Sequence, residues 1–145
     1  MRCAPRSVPR AVVDPNVLVS ALISPEGASA QMLGELRDGG YELITSPLLL
    51  QELRGVLGRE KFRGYLTVAE ADTYVELLRS ESLVFDDPHL PDEPIGEDPG
   101  DEYLIALARA TRVDALVSGD PHLIKLRRTL PVFTPAEFLR RLRRA

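Results

Sequence analysis

Four carboxylates stand where they could act together: Asp14, Glu52, Asp101 and Asp120. Two of them follow apolar strands, in Val12-Val13-Asp14 and in Val117-Ser118-Gly119-Asp120. Glu52 lies in a helical stretch after a second strand, and Asp101 opens a helix ahead of a later one; Asn16 stands close behind Asp14. If the four meet at one sheet edge, each pair at ~5 Å repels by about 3 kcal/mol at an effective dielectric near 20. Without a counter-charge some would stay protonated. A divalent cation reverses that logic, and an all-oxygen, carboxylate-rich set suits Mg²⁺ or Mn²⁺. Such ions orient a phosphodiester, activate a water and stabilise a leaving oxygen. Each residue also has a plainer role open to it. Asp14-Pro15, Asp98-Pro99 and Asp120-Pro121 read as a helix cap followed by proline at the first helical position. Asp101 suits a helix dipole, and Glu52, beside Leu49, Leu50 and Leu53, can face solvent.

The elements that would position these residues alternate strand and helix. Strands are predicted over 11–13, 41–45, 82–85, 115–118 and 130–133. A helix with apolar Met32, Leu33 and Leu36 stops at Gly39-Gly40. Ser46-Pro47 offers a cap and a helix start for the segment carrying Glu52 to Leu57. Thr67 and Glu70 form a capping box ahead of Tyr74, Leu77 and Leu78. Helices also follow Asp101, with Leu104, Leu107 and Ala108, and Asp120, with Leu123 and Leu126. Thr134-Pro135-x-Glu137 launches a last helix with Phe138, Leu139 and Leu142. Apolar strands alternating with helices predict a three-layer α/β/α sandwich around a mainly parallel sheet. In such sheets ligands bind outside the carboxyl ends of the strands.

Composition narrows the function classes. At 145 residues, 44% hydrophobic and 28% charged, the chain is of single-domain size and ordinary globular make-up. Residues 1–9 are read as an N-terminal arm with freedom to flex, and 10–145 as one domain. The opening MRCAPRSVPR lacks the apolar stretch of a signal peptide, and no run approaches the ~20 apolar residues of a membrane span. A cytoplasmic, soluble protein is the expectation. Cys3 alone forms no internal disulfide, and His89 and His122 are too few for a Cys/His zinc cage or a histidine-based centre. No phosphate-binding glycine motif is present. The net charge of −4 hides an asymmetry, with eight acidic residues and no Lys or Arg from Asp86 to Glu102, and seven Lys or Arg residues against Glu137 from Lys125 onward. The plain reading of both blocks is a solvated loop and a solvated helix face.

Five segments carry a resemblance to PIN-domain ribonucleases. They are Ala11-Val12-Val13-Asp14-Pro15-Asn16-Val17, Ser46 to Leu53, Asp98-Pro99-Gly100-Asp101 to Ala108, Ala115 to Leu123, and Thr134-Pro135-Ala136-Glu137-Phe138-Leu139. Together they span roughly residues 10 to 140, in the family's order. The nearest branch is that of bacterial VapC-like proteins regarded as toxins of toxin–antitoxin pairs. The resemblance implies a PIN-like fold in which Asp14, Glu52, Asp101 and Asp120 hold Mg²⁺ or Mn²⁺. It implies supporting roles for Asn16, Ser46, Asp98 and Ser118, metal-dependent hydrolysis of RNA phosphodiesters, a homodimer, and an antitoxin partner. Proline at position 15 departs from the family's usual threonine, removing a hydroxyl and a backbone donor. That departure keeps open a weakened module that binds RNA or a protein without efficient cleavage. A phosphoryl-transfer enzyme or receiver would want a carboxylate where Asn16 stands and a placed lysine, of which only Lys61 and Lys125 exist.

Among the basic residues, Arg54 and Arg59 are candidates for RNA contact if the Glu52 helix faces the site. Arg140, Arg141, Arg143 and Arg144 could meet RNA phosphates, a neighbouring subunit's acidic loop, or the negative end of their own helix.

Overall fold

The computed structural model describes residues 8–144, so Cys3 and most of the expected N-terminal arm lie outside the described residues. The chain runs β1 (Arg10–Val13), α1 (Pro15–Ile23), α2 (Ala28–Arg37), β2 (Glu42–Thr45), α3 (Pro47–Leu57) and α4 (Val68–Glu81). It continues through β3 (Ser82–Val84), α5 (Glu102–Ala110), β4 (Ala115–Val117), α6 (Pro121–Ile124), β5 (Val132–Phe133) and α7 (Pro135–Arg144). A 3₁₀ turn over Pro99–Asp101 leads into α5. The predicted elements are present, and the expected starts are made by the expected caps. Ser46 accepts from the Leu49 N–H, and Thr67 and Glu70 close a full capping box. Among the described residues no helix is long and apolar enough to cross a membrane.

The five strands form one sheet in the order β3-β2-β1-β4-β5, and every neighbouring pair is parallel. Ala11, Val12 and Val13 have no exposed surface, nor do Ala115, Leu116 and Val117. Strands covered on both faces need no polar alternation, which is why both read as short unbroken apolar runs. The chain steps outward from β1 to β2 and β3, then returns to place β4 on the other side of β1. Under the right-handed crossover rule that reversal sends α5 to the face opposite α1–α4. It also makes the β1/β4 boundary the point where the loops leaving two adjacent strands diverge, opening a crevice at their carboxyl ends. The register pairs Val13 with Val117, so the residues after these strands are brought side by side.

Candidate functional site

Asp14 and Ser118 are the first residues beyond β1 and β4, and both are buried. The Asp14 N–H donates to the Val117 carbonyl at 2.9 Å, extending the strand pairing into the site. Its carboxylate accepts the Asn16 N–H at 3.0 Å on Oδ1 and the Ser118 hydroxyl at 2.7 Å on Oδ2. The same Ser118 oxygen accepts the Asp120 N–H at 3.0 Å, so one buried hydroxyl joins the two strand-end aspartates. Capping and site roles coincide at Asp14: one carboxylate oxygen starts α1 while the carboxylate lines the crevice. Pro15 fits without loss of a needed donor, because the N–H it lacks at the first helical position would have no intrahelical partner.

Asp98, Asp101, Asp120 and His122 each offer a ligand atom within 4.8 Å of the others. Asp98 is braced by accepting the Gly100 N–H at 2.9 Å, and Asp120 by accepting the His122 N–H at 2.9 Å. A cleft of about 180 Å³ is lined by Asp14, Asn16, Glu52, Asp98, Asp101 and Tyr103. A second, of about 390 Å³, is lined by Asp14, Asn16, Ser20, Ser29, Asp120 and Pro135. Asp14 and Asn16 belong to both clefts, and Glu52 stands exposed at the rim of the first. Of the four predicted carboxylates, Asp101 and Asp120 belong to the compact group, while Asp14 and Glu52 line the adjoining clefts outside it.

Their charges conflict. Burial first, then Asp120, Asp98 and Asp14, pushes the Asp101 carboxyl up to about 7. Burial also raises Asp14, opposed by hydrogen bonds from Asn16 and Ser118 and reinforced by Asp120 and Glu52. One oxygen of Asp101, Oδ2, is buried without a hydrogen-bond partner. An orphaned carboxylate oxygen among other carboxylates is what a hard divalent cation satisfies, and oxygen ligands of this kind are the set Mg²⁺ and Mn²⁺ take. The residues therefore fit such an ion.

Other placements depart from the expectations. Ser46 is fully buried and its hydroxyl caps α3, so it positions the Glu52 helix from beneath. Arg54 points to α4, where it pairs with Asp72 at 3.3 Å and Glu76 at 2.9 Å. Arg59 shares a groove of about 440 Å³ with Glu52 and Gln51. His122 lies within the carboxylate group, its Nδ1 3.5 Å from Asp120 and its Nε2 3.7 Å from Glu97. Tyr103 was not singled out from the sequence. Its buried hydroxyl has no partner, and burial with Glu52 and Asp14 nearby raises its pKa, so it holds its proton. An aromatic two residues after an acidic helix start resembles any core position, and no sequence signal separates it from one.

The acidic segment is not uniformly solvated. Asp87 accepts the Leu48 N–H at 2.9 Å. Glu102 is buried and accepts the N–H groups of Ile95 and Gly96 at 3.0 and 2.7 Å. A Cβ at Gly96 would meet Ile105 at 3.0 Å, so glycine lets the backbone come this close. Glu102 thereby pins the loop that delivers Asp98. Glu102→Ala is expected to cost about 2 kcal/mol in stability, as for the loss of charge-assisted hydrogen bonds. Hydrogen exchange at the Ile95 and Gly96 amides should accelerate first; unchanged protection there would contradict the clamp.

Among curated protein sequences none matches the chain. The crystal structure of PAE2754 from Pyrobaculum aerophilum shares its fold with a TM-score of 0.64 at 18% identity, over 95% of this chain and 97% of that one. VapBC2 from Rickettsia felis, bound to a DNA fragment from their promoter, matches with a TM-score of 0.59 at 16% identity, over 86% of this chain and 98% of the other. At such identities the likeness speaks for the fold. The family model for the PIN domain, a domain generally found in nucleases, matches residues 10–122, and with the strand-end carboxylates inside that span the chain belongs to the PIN-domain family.

Proposed function

We propose that this chain is a metal-dependent endoribonuclease acting in the cytoplasm, and the toxin of a toxin–antitoxin pair. The observation that carries the nuclease reading is the orphaned Asp101 oxygen in a carboxylate group at the sheet's switch point. Asp14, Glu52, Asp101 and Asp120 would hold one or two Mg²⁺ or Mn²⁺ ions, with Asp98 as an outer member. A bound divalent cation supplies a lowered pKa for the attacking water and charge compensation for the leaving oxygen. The rest falls to the chain's own groups. Ser118 fixes the carboxylate of Asp14 and the backbone of Asp120, so that neither must reorganise when substrate arrives. Asn16, exposed beside Asp14, can donate to a phosphate oxygen, and Tyr103 keeps a proton to donate from within the cleft. Arg59, in the groove next to Glu52, offers positive charge to the approaching backbone.

The toxin reading adds a homodimer and a protein antitoxin. An apolar groove of about 360 Å³ between α1, α2 and α4, lined by Leu22, Leu33, Leu36 and Leu77, supports a protein partner. The weakened-module alternative rested on Pro15. The two donors already on Asp14 weigh against it.

The test is incubation of the purified protein with a structured RNA pool in Mn²⁺, Mg²⁺ and EDTA, beside an Asp14→Asn, Asp101→Asn double variant. Cleavage should require the metal and vanish in the variant. Intact RNA in every lane from folded protein would sink the nuclease reading in favour of the binding module.

A further inference from the structure

Away from the acidic clefts, a groove of about 440 Å³ runs between the free edge of β5 and α7, lined by Arg127, Phe133, Glu137, Arg140, Arg141 and Arg144. Arg127 is bound to Glu137 at 2.8 Å. Arg141 is held by the Asp114 carbonyl at 3.3 Å and lies over the Phe133 ring, 5.4 Å from its centroid. Arg140 and Arg144, one helical turn apart, are exposed and form no ion pair among the described residues. Many cations elsewhere are engaged: Arg10 with Glu42, Arg54 with Asp72 and Glu76, Lys125 with Glu97. The groove therefore holds positive charge that the fold itself does not consume.

Its position relates it to the carboxylates. Pro135, the first residue of α7, lines the cleft that holds Asp14 and Asp120, and Glu137 lines the arginine groove. At 1.5 Å of rise per residue, Arg140 and Arg144 lie about 8 and about 14 Å along α7 from that cleft. A polyanion drawn to a centre of clustered carboxylates needs cations along its path, because the long-range field of the acidic edge opposes its approach. An acidic peptide is the poorer fit. Strand addition supplies much of a peptide's affinity through main-chain bonds, and β5 offers only two residues of edge.

Resting on the ribonuclease reading, we propose that this groove is the track along which single-stranded RNA leaves the carboxylate centre. Arg140 and Arg144 contact successive stretches of phosphate, and the Arg141–Phe133 pair presents a surface against which a base can stack.

The test is equilibrium binding of a fluorescein-labelled oligouridylate of about 12 nucleotides to the full chain in EDTA, across a salt series. Because no cleavage enters this readout, it stands whether or not the protein cuts RNA in Mn²⁺. In the Arg140→Gln, Arg144→Gln double variant, the slope of log affinity against log salt should become shallower by about 1.4, from about 0.7 per lost single-strand phosphate contact. A control double variant of equal charge change, Arg37→Gln with Arg109→Gln, should keep the native slope. Both variants should retain the native circular dichroism spectrum. An unchanged slope in the groove variant, an equal change in the control, or no RNA binding by the native chain would each overturn the track. Tighter binding of an oligoglutamate than of the RNA through Arg140 and Arg144 would overturn it in favour of an acidic protein partner.

Discussion

Asp101→Asn is expected to remove RNA cleavage while making the metal-free protein more stable at neutral pH. The two effects share one cause. Asp101 is partly buried among Asp14, Asp98 and Asp120, which pushes its carboxyl from 3.8 up to about 7. A carboxyl whose folded pKa is raised contributes stability that is fully present below its unfolded value and lost as pH rises through its folded one. Metal-free native protein should therefore lose stability between about pH 4 and about pH 7, and Asp14, shifted in the same direction, adds to the loss. Asparagine carries no charge to desolvate, so the variant's melting temperature should be flatter through that window and exceed the native value above it. Added Mn²⁺ should raise the native melting temperature at neutral pH and leave the variant nearly unmoved. Cleavage should fall on the order of a thousandfold, as when a preorganised electrostatic contact to a transition state is removed. A variant less stable than native at neutral pH would show that Asp101 is an ordinary cap and not a strained ligand.

Ser118→Ala carries the second large effect. Its buried hydroxyl donates to Asp14 and accepts from the Asp120 N–H. Losing it leaves a buried carboxylate with one fewer donor and a backbone N–H short of a partner, at a cost of about 1–3 kcal/mol. Losing a hydrogen bond that orients a metal-ligating carboxylate typically lowers metal affinity or activity about 10- to 100-fold. Since the lost bond was holding the Asp14 pKa down, Mn²⁺ binding should also begin at higher pH in the variant. Titration calorimetry with Mn²⁺ across pH measures both. An unchanged affinity would mean that the Asn16 N–H alone suffices to orient Asp14.

Much of the fold was written in local pairs of residues. Ser46-Pro47, the Thr67–Glu70 box and Thr134-Pro135-x-Glu137 started helices where expected, because caps act within one turn of their own position. The apolar runs at Val12 and Leu116 announced strands buried on both faces. The candidate carboxylates were legible too, as strand-end and helix-start acids on a parallel architecture.

Local sequence therefore sufficed for the set of elements, the three-layer architecture and a list of candidate carboxylates. The tertiary structure alone decided which groups meet and in what environment. The meeting of Asp14 with Ser118 follows from the β1–β4 register, which joins residues 104 positions apart. Glu102 looked like one more solvated acid until packing gave it two backbone donors, and Arg54 looked like an RNA contact until α4 supplied Asp72 and Glu76. Tyr103 and His122 acquire their places only when α5 and the turn after β4 converge. Local propensity depends on neighbours in the chain, whereas burial, orphaned hydrogen bonds and raised pKa values depend on neighbours in space, and packing chooses those.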